Sequence, residues 1–450
     1  MHPRELANSI CDTLQRHGYQ AFLVGGCVRD ILLGREPADF DVTTDARPEQ
    51  VLQLFPDGLA VGAQFGVVLI SRNASKVEVA VFRHDVGYSD GRHPDQVVYA
   101  KTPQEDVSRR DFTINGLLMD PLDGNRVLDF VGGRDDLQAG IIRAIGDPER
   151  RFAEDKLRML RAVRFAARFS YRIEEGTYSA LCAQAGEIGA VSAERIRDEL
   201  TRILTQGGAG RGFVLLEETG LLGHVLPEIA CLRGVQQPPE FHPEGDVWTH
   251  TLLLLEQLPT GASATLAWGA LLHDVGKPST FAPPRGPDDR IRFDGHVEVG
   301  TRMAEEIARR LRFSGEETER VAALVAQHLR FKDVFEMRPA TLKRFVRQPH
   351  FQEHLDLHRM DCLASHGKLD AYEFVRKFVE ETPAEAVRPA RLVTGDDLKS
   401  LGLVPGPGYR EILNQVEEAQ LEGRVRTREE AMQFVREHCG AQHRQLIGNA

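Results

Sequence analysis

Strand-like alternation is confined to the first 146 or so residues of this chain, and beyond about residue 149 every periodic stretch is helical. Such a split excludes an all-β protein and a regular βα array, and it predicts an α/β head followed by an all-α remainder. Within the head, Leu6, Ile10 and Leu14 recur at four-residue spacing, so residues 3–17 are expected to form a helix that Gly18 ends. Short β-rich runs follow at 20–24, 39–43, 66–71 and 76–82, with helical patterns near 28–33 and 48–54. Gly/Pro-rich stretches at 206–212, 236–245, 282–288 and 404–408 then punctuate the helices.

The head carries more polar density than a core requires. The run "LVGGCVRDILLGREPADFDVTT" (23–44) passes from an apolar strand through two glycines and an Arg-Asp pair to Asp39 and Asp41. Residues two apart in a strand share a face, so the two carboxylates aim together with Phe40 buried behind them. Like charges held side by side repel unless a cation lies between them, and hard oxygen donors suit Mg²⁺. Glu78, in the alternating "KVEVAVFR", offers a third carboxylate. Acids holding Mg²⁺ are what phosphoryl and nucleotidyl transfer require. Gly25 and Gly26, between strand and helix, let backbone N–H groups approach a phosphate, and Arg29 can add a guanidinium fork. In "RRDFTINGLLMD" (109–120), Arg109 and Arg110 supply cations, and Asp111 and Asn115 are spaced for one helical face, a set suited to ribose and triphosphate.

Charge distribution narrows the function further. The net charge of −11 argues against wholesale coating of nucleic acid. Yet from Arg150 to Arg172 eight Lys/Arg face two acids, with Arg158, Arg161, Arg164 and Arg168 at three- and four-residue spacing along one helical face. Six scattered cysteines with no CxxC indicate neither a zinc site nor a disulfide framework, and no apolar stretch is long enough to span a bilayer. A reducing, cytoplasmic setting is the expectation.

Taken in order, "LVGGCVRDILLG…ADFDVTT", "RRDFTIN", "DFVGGRDDL", "EDKLRMLRAVRFAARF" and "SAERIRDEL" resemble the class II tRNA nucleotidyltransferase and bacterial poly(A) polymerase family over roughly the first 205 residues. The resemblance implies an α+β protein: a polymerase-β-like nucleotidyltransferase head with a five-stranded palm (1–146), a helical neck with a nucleobase-selecting motif (147–205), a helical body (206–345) and a helical, tRNA-binding tail (346–450). By position Asp39 and Asp41 match the metal-binding pair, and Gly26, Arg29 and Arg110 match nucleotide contacts. It assigns "EDKLR" to base selection, and Arg161 and Arg164 to further nucleotide contacts.

The chemistry of that motif agrees. Asp155 and Arg158, three apart, are expected on one helical face; the carboxylate accepts hydrogen bonds and the guanidinium donates them. Cytosine and adenine place an amino donor beside a ring-nitrogen acceptor, whereas uracil and guanine reverse that pattern. Two departures from the family pattern stand out: Lys156, where proline is more frequent, and Gly116, often alanine.

Between 246 and 330, His250, His273, Asp274, His296 and His328 are spaced as in the HD phosphohydrolase superfamily. Imidazoles with a carboxylate suit a transition metal better than Mg²⁺. The expected partners are the tRNA 3′ end, CTP and ATP, with no membrane and no DNA. The expected reaction is template-independent CCA addition with release of pyrophosphate. Its alternatives are A-only addition or poly(A) synthesis, and an HD-type phosphohydrolase with an RNA-binding head. The loop Arg83–Val97 resembles that of enzymes adding the terminal A. "GAQFGVVLISR" in place of a "GRRF"-like signature, and a tail (388–450) with nine Lys/Arg against nine Asp/Glu, weigh against poly(A) synthesis.

Overall fold

A computed structural model describes residues 2–61, 66–73, 75–86, 96–286, 289–403 and 405–447. The first helix, Pro3–Arg16, opens with a capping box between His2 and Glu5 and a proline in its first turn. It buries Leu6, Ile10 and Leu14, as their spacing predicts, and Gly18 (φ +86°) takes the left-handed turn that ends it.

The head strands are β1 (Ala21–Val24), β2 (Asp41–Thr44), β3 (Leu59–Ala60), β4 (Val67–Arg72), β5 (Ser75–Val81), β6 (Arg83–Val86), β7 (Gln96–Tyr99), β8 (Leu118–Asp120) and β9 (Arg126–Leu128). Among the described residues, seven of them form one sheet in the order β3-β4-β5-β2-β1-β8-β9. The expected five-stranded palm is therefore extended at both edges by short strands of two and three residues. Strand β1 runs antiparallel to β2 and β8, while β2 runs parallel to β5 with Asp41 opposite Glu78.

The alternation that defines β5 sorts the sheet into two faces. Val42, Val77 and Val79 share one cluster with Leu6, Ile10 and Leu14 of the first helix. On the other face, Phe22 and Val24 are covered by Val107 and Ile145, and Thr43 of β2 is buried against Asp106. Asp41 and Glu78 project there. Strands β6 and β7 pair as a hairpin, and residues 87–95 of the expected loop lie outside the described residues, as do 62–65 of "GAQFGVVLISR".

Helices dominate after Asp147; a two-residue strand, Arg172–Ile173, pairs with Ile141–Ile142 and ties neck to head, and Ala282 bridges Arg292. The basic segment is two helices, Pro148–Glu154 and Leu157–Phe169, rather than one. The largest core cluster reaches from Leu6 to Ala364, a second forms around Phe331, Phe345, Leu355 and Val375, and the tail has its own around Leu398, Ile412 and Val416. The helix Phe351–Ala364 packs on Val247–Glu256.

Candidate nucleotide and metal sites

Asp41 stands at the start of β2, and Asp39 two residues earlier lies on irregular backbone rather than in the strand expected from 39. Phe40 between them is buried, so both carboxylates turn into one cleft of about 610 Å³. Burial, then the charges of Asp39 and Glu78, push the Asp41 carboxyl up to about 6, with Arg110 pulling the other way. An acid driven that far by its neighbours is one that a cation would relieve. The donors are all carboxylate oxygens, which fit Mg²⁺.

Opposite them, Gly25 caps the helix Gly26–Leu32 with φ +77°, and a Cβ there would come within 3.4 Å of the Arg110 guanidinium. Arg29 is buried and already engaged: it donates to Asn115 Oδ1 (2.6 Å) and Asp30 Oδ1 (2.8 Å), and its guanidinium lies 4.8 Å from the Phe169 ring centre. Asn115 donates in turn to Asp111 Oδ1 at 3.1 Å. That contact forms across a single 3₁₀ turn, Thr113–Asn115, not along the α-helical face expected from the spacing. The departure at Gly116 has a steric reason. A Cβ there would meet Val131 at 2.8 Å, so this packing has no room for alanine.

Asp106 organises the cations of this wall and has no part in the motifs that the spacing singles out. It accepts from Arg109 (2.7 and 2.9 Å) and Arg110 (3.0 Å). Despite burial, these two arginines hold its carboxyl below the usual range. Its three- and four-residue spacing to Arg109 and Arg110 is a signal that could have found it.

The base-selecting residues are arranged differently from their expected single helix face. Asp155 sits in the break between the two helices, extended at φ −145° and ψ 103°. It accepts from Arg195 (2.9 and 3.2 Å) and from the Leu157 N–H (3.1 Å), starting the second helix. Arg158 donates to Glu154 Oε2 and to the carbonyls of Arg151 and Arg109, each at 3.0 Å. Both side chains nonetheless line the same cleft as Asp39 and Asp41. Lys156, where proline is more frequent in the family pattern, pairs with Glu187 at 2.7 Å.

Arg161 and Arg164 extend this wall. Arg161 donates to Asp111 Oδ2 (2.5 and 2.9 Å), and Arg164 forms an ion pair with Glu199 at 2.8 Å. Burial draws Arg164 down to about 10, against the pull of Glu199. Glu199 also accepts from Arg202 at 3.0 Å and is itself buried. Removing one member of a buried pair strands the other charge, so Glu199→Ala is expected to destabilise the fold by about 3–5 kcal/mol. Urea unfolding monitored by far-UV circular dichroism reads this directly. A loss under about 1 kcal/mol would show that water screens the arginines.

A second cluster forms in the body, where His250, His273, Asp274, His296 and His328 do converge. The helix Ala264–Leu272 ends just before His273, and both His273 and Asp274 are buried. Gly276 allows the next element in: a Cβ there would sit 2.2 Å from the His296 carbonyl. Asp361, on the helix Phe351–Ala364, joins them 3.1 Å from His250 Nε2, and Lys277 Nζ lies 2.6 Å from Asp274 Oδ2. Glu244 accepts from His250 Nδ1 at 2.7 Å. Burial opposes ionisation of Asp274, but Lys277 and then His273 and His328 hold its carboxyl well below the usual range. Orphaned buried nitrogens on His296 and His328, with carboxylates beside them, fit a transition metal.

Comparison with known proteins gives consistent matches. Residues 21–143 match the poly(A) polymerase head domain, 170–232 the probable RNA and SrmB-binding site of polymerase A, and 246–364 the HD domain. A CCA-adding enzyme of Geobacillus sp. is 41% identical over 219 residues, 49% of this chain and 54% of that protein. The chain thus spans about half the length of several CCA-adding relatives it matches. The A-adding tRNA nucleotidyltransferase of Deinococcus radiodurans is 35% identical over 437 residues, covering 92% of this chain and 94% of that one. Among solved structures, the Bacillus stearothermophilus CCA-adding enzyme in complex with CTP superimposes with a TM-score of 0.74 at 25% identity, covering 99% of this chain and 100% of that chain.

Proposed function

This chain belongs to the tRNA nucleotidyltransferase and poly(A) polymerase family, and from that premise we propose that it adds CCA to the tRNA 3′ end using CTP and ATP. One observation carries the reading: Asp39 and Asp41 share a single cleft with Asp155 and Arg158, so a reacting phosphate and a base edge fit one site. Asp39, Asp41 and Glu78 would hold Mg²⁺, which when bound favours loss of the 3′-hydroxyl proton and neutralises the leaving pyrophosphate. The 3′-oxygen bonds to the α-phosphorus, the bond to the β-phosphate oxygen breaks, and pyrophosphate departs. Arg110, braced by Asp106, faces the triphosphate beside Gly25 and Gly26; Arg29 fixes Asn115 for the ribose.

Selection needs no template because the protein supplies the complementary edge. Arg195 and the Leu157 N–H hold Asp155 yet leave one lone pair of Oδ2 for an exocyclic amino group. Arg158, held by Glu154, donates to the adjacent ring nitrogen. Arg161 and Arg164 carry positive charge along the same wall.

A second reading, addition of the terminal A alone, is favoured by the Deinococcus radiodurans relative that matches nearly the whole chain. Three tRNA transcripts, ending before CCA, after C and after CC, separate the two when CTP and ATP are supplied singly. CCA addition predicts extension of the first two with CTP. Extension of only the third, with ATP, would establish A-only addition, and no extension of any would defeat both.

The body is proposed to bind a transition metal separate from the head's Mg²⁺ and to support hydrolysis of phosphomonoesters or 2′,3′-cyclic phosphates. His273→Ala with Asp274→Ala is expected to remove that metal and any such hydrolysis while sparing nucleotide addition. Elemental analysis beside both assays checks it; nucleotide addition lost together with the metal would mean that the sites are coupled.

A further inference from the structure

We propose that Phe165 is a positioning residue for nucleotide binding, its ring setting the guanidiniums of Arg29, Arg161 and Arg164 before a nucleotide arrives. The proposal rests on the nucleotide reading of the head cleft, and it gives a task to an apolar side chain in that cleft's wall. The three guanidinium carbons lie over the Phe165 ring, 5.3, 5.4 and 4.4 Å from its centre. One helical turn on, Phe169 stacks on Phe165 with ring centres 6.1 Å apart and planes 11° from parallel. Arg29, Arg35 and Arg168 lie over that second ring at 4.8, 5.2 and 5.0 Å. Among the described residues, five arginines thus gather around two rings.

Like charges need a reason to stay together. Asp30, Asp111 and Glu199 supply part of it through ion pairs with Arg29, Arg161 and Arg164. Crowding persists all the same: burial opposes the charge on Arg164, Glu199 favours it, and Arg161 and Arg202 oppose it again. An aromatic face is negative, so it attracts a cation without adding an acid that would compete with a phosphate. A guanidinium is flat and carries its donors in its own plane. A ring beneath it consumes no N–H and leaves the edge for oxygens. Arg161 shows both contacts at once, donating Nε and Nη2 to Asp111 while lying over Phe165.

The ring itself is held in place. Phe165 is buried, and the wholly buried Phe112 meets it at 81° with ring centres 5.8 Å apart. A leucine of similar bulk would fill this position but offer the arginines no negative face.

The test places phenylalanine bearing one, two or three ring fluorines at position 165 of the full chain, beside Phe165→Leu. Each fluorine drains the ring face at nearly constant shape, which weakens its hold on a cation. Equilibrium dialysis with labelled ATP and Mg²⁺ gives the Kd, and addition of A to a tRNA transcript ending in CC gives KM and kcat. The Kd and KM for ATP are expected to rise with each fluorine and to reach about tenfold in Phe165→Leu, with kcat and the KM for tRNA unchanged. A Kd indifferent to fluorine overturns the proposal even where Phe165→Leu binds weakly or fails to fold, because the ring would then serve packing alone. A rise confined to the KM for tRNA overturns it as well. A parent that neither binds ATP nor extends the transcript defeats the nucleotide reading, and the proposal with it.

Discussion

Asp41→Asn is expected to lower nucleotide addition by about a thousandfold or more while making the metal-free protein more stable. The first effect follows because the metal's stabilisation of transition-state charge is worth several kcal/mol, and each ~1.4 kcal/mol is tenfold in rate. The second follows from the crowding of acids. The Asp41 carboxyl, at 3.8 when unperturbed, is pushed up to about 6 by burial, Asp39 and Glu78. A raised carboxyl is a penalty on the folded state that is absent below the unfolded value, grows between pH 4 and 6, and is full above 6. Allowing for partial solvation, the amide is expected to recover on the order of 1–2 kcal/mol at pH 7.5. Thermal melts with chelator at pH 7.5 and pH 4.5 isolate the gain, which should shrink at the lower pH and on adding Mg²⁺ to the parent. Equal melting of parent and variant at pH 7.5 would show that Asp41 is not strained, whatever its role in catalysis.

Asp155→Ala is expected to blur base selection. In the proposed reading, UTP and GTP are rejected because they would leave the half-buried donors and acceptors of Asp155 and Arg158 unpaired, at several kcal/mol for the two together. Removing the carboxylate should raise incorporation of UTP and GTP relative to CTP and ATP by about a hundredfold or more. Arg195→Ala leaves that carboxylate held by the Leu157 N–H alone, and a smaller loss of discrimination is expected. Single-turnover incorporation with each of the four nucleotides provides the comparison. A slower Asp155→Ala enzyme with unchanged preference would mark Asp155 as only a brace for the Leu157 N–H at the start of the second helix.

Local patterns made much of this legible before any coordinates. The four-residue spacing of Leu6, Ile10 and Leu14, the alternation of β5 and the closeness of Asp39 to Asp41 are all short-range, and each survives in the structure. Residues that brace the site from a distance were not legible. Glu199 meets Arg164 from another helix, Arg195 reaches Asp155 across 40 positions, and Asp361 joins His250 from a helix more than a hundred residues later. No periodicity encodes such meetings. The break at Asp155 was hidden for a different reason. Lys156 stands where the family pattern more often has proline, so the segment reads as one uninterrupted helix although the chain bends there as a proline would demand. Gly116 shows the converse: its departure from the pattern is explained only by the crowd of Val131, Val107 and Ile145 around it.

The most direct test of the account is incorporation of labelled ATP by the purified full chain into a tRNA transcript ending in CC, with Mg²⁺ and no other nucleic acid. One A per tRNA is expected, with release of one pyrophosphate for each and no extension with UTP or GTP. No incorporation, a requirement for a complementary strand, or growth of a long A tail would contradict it.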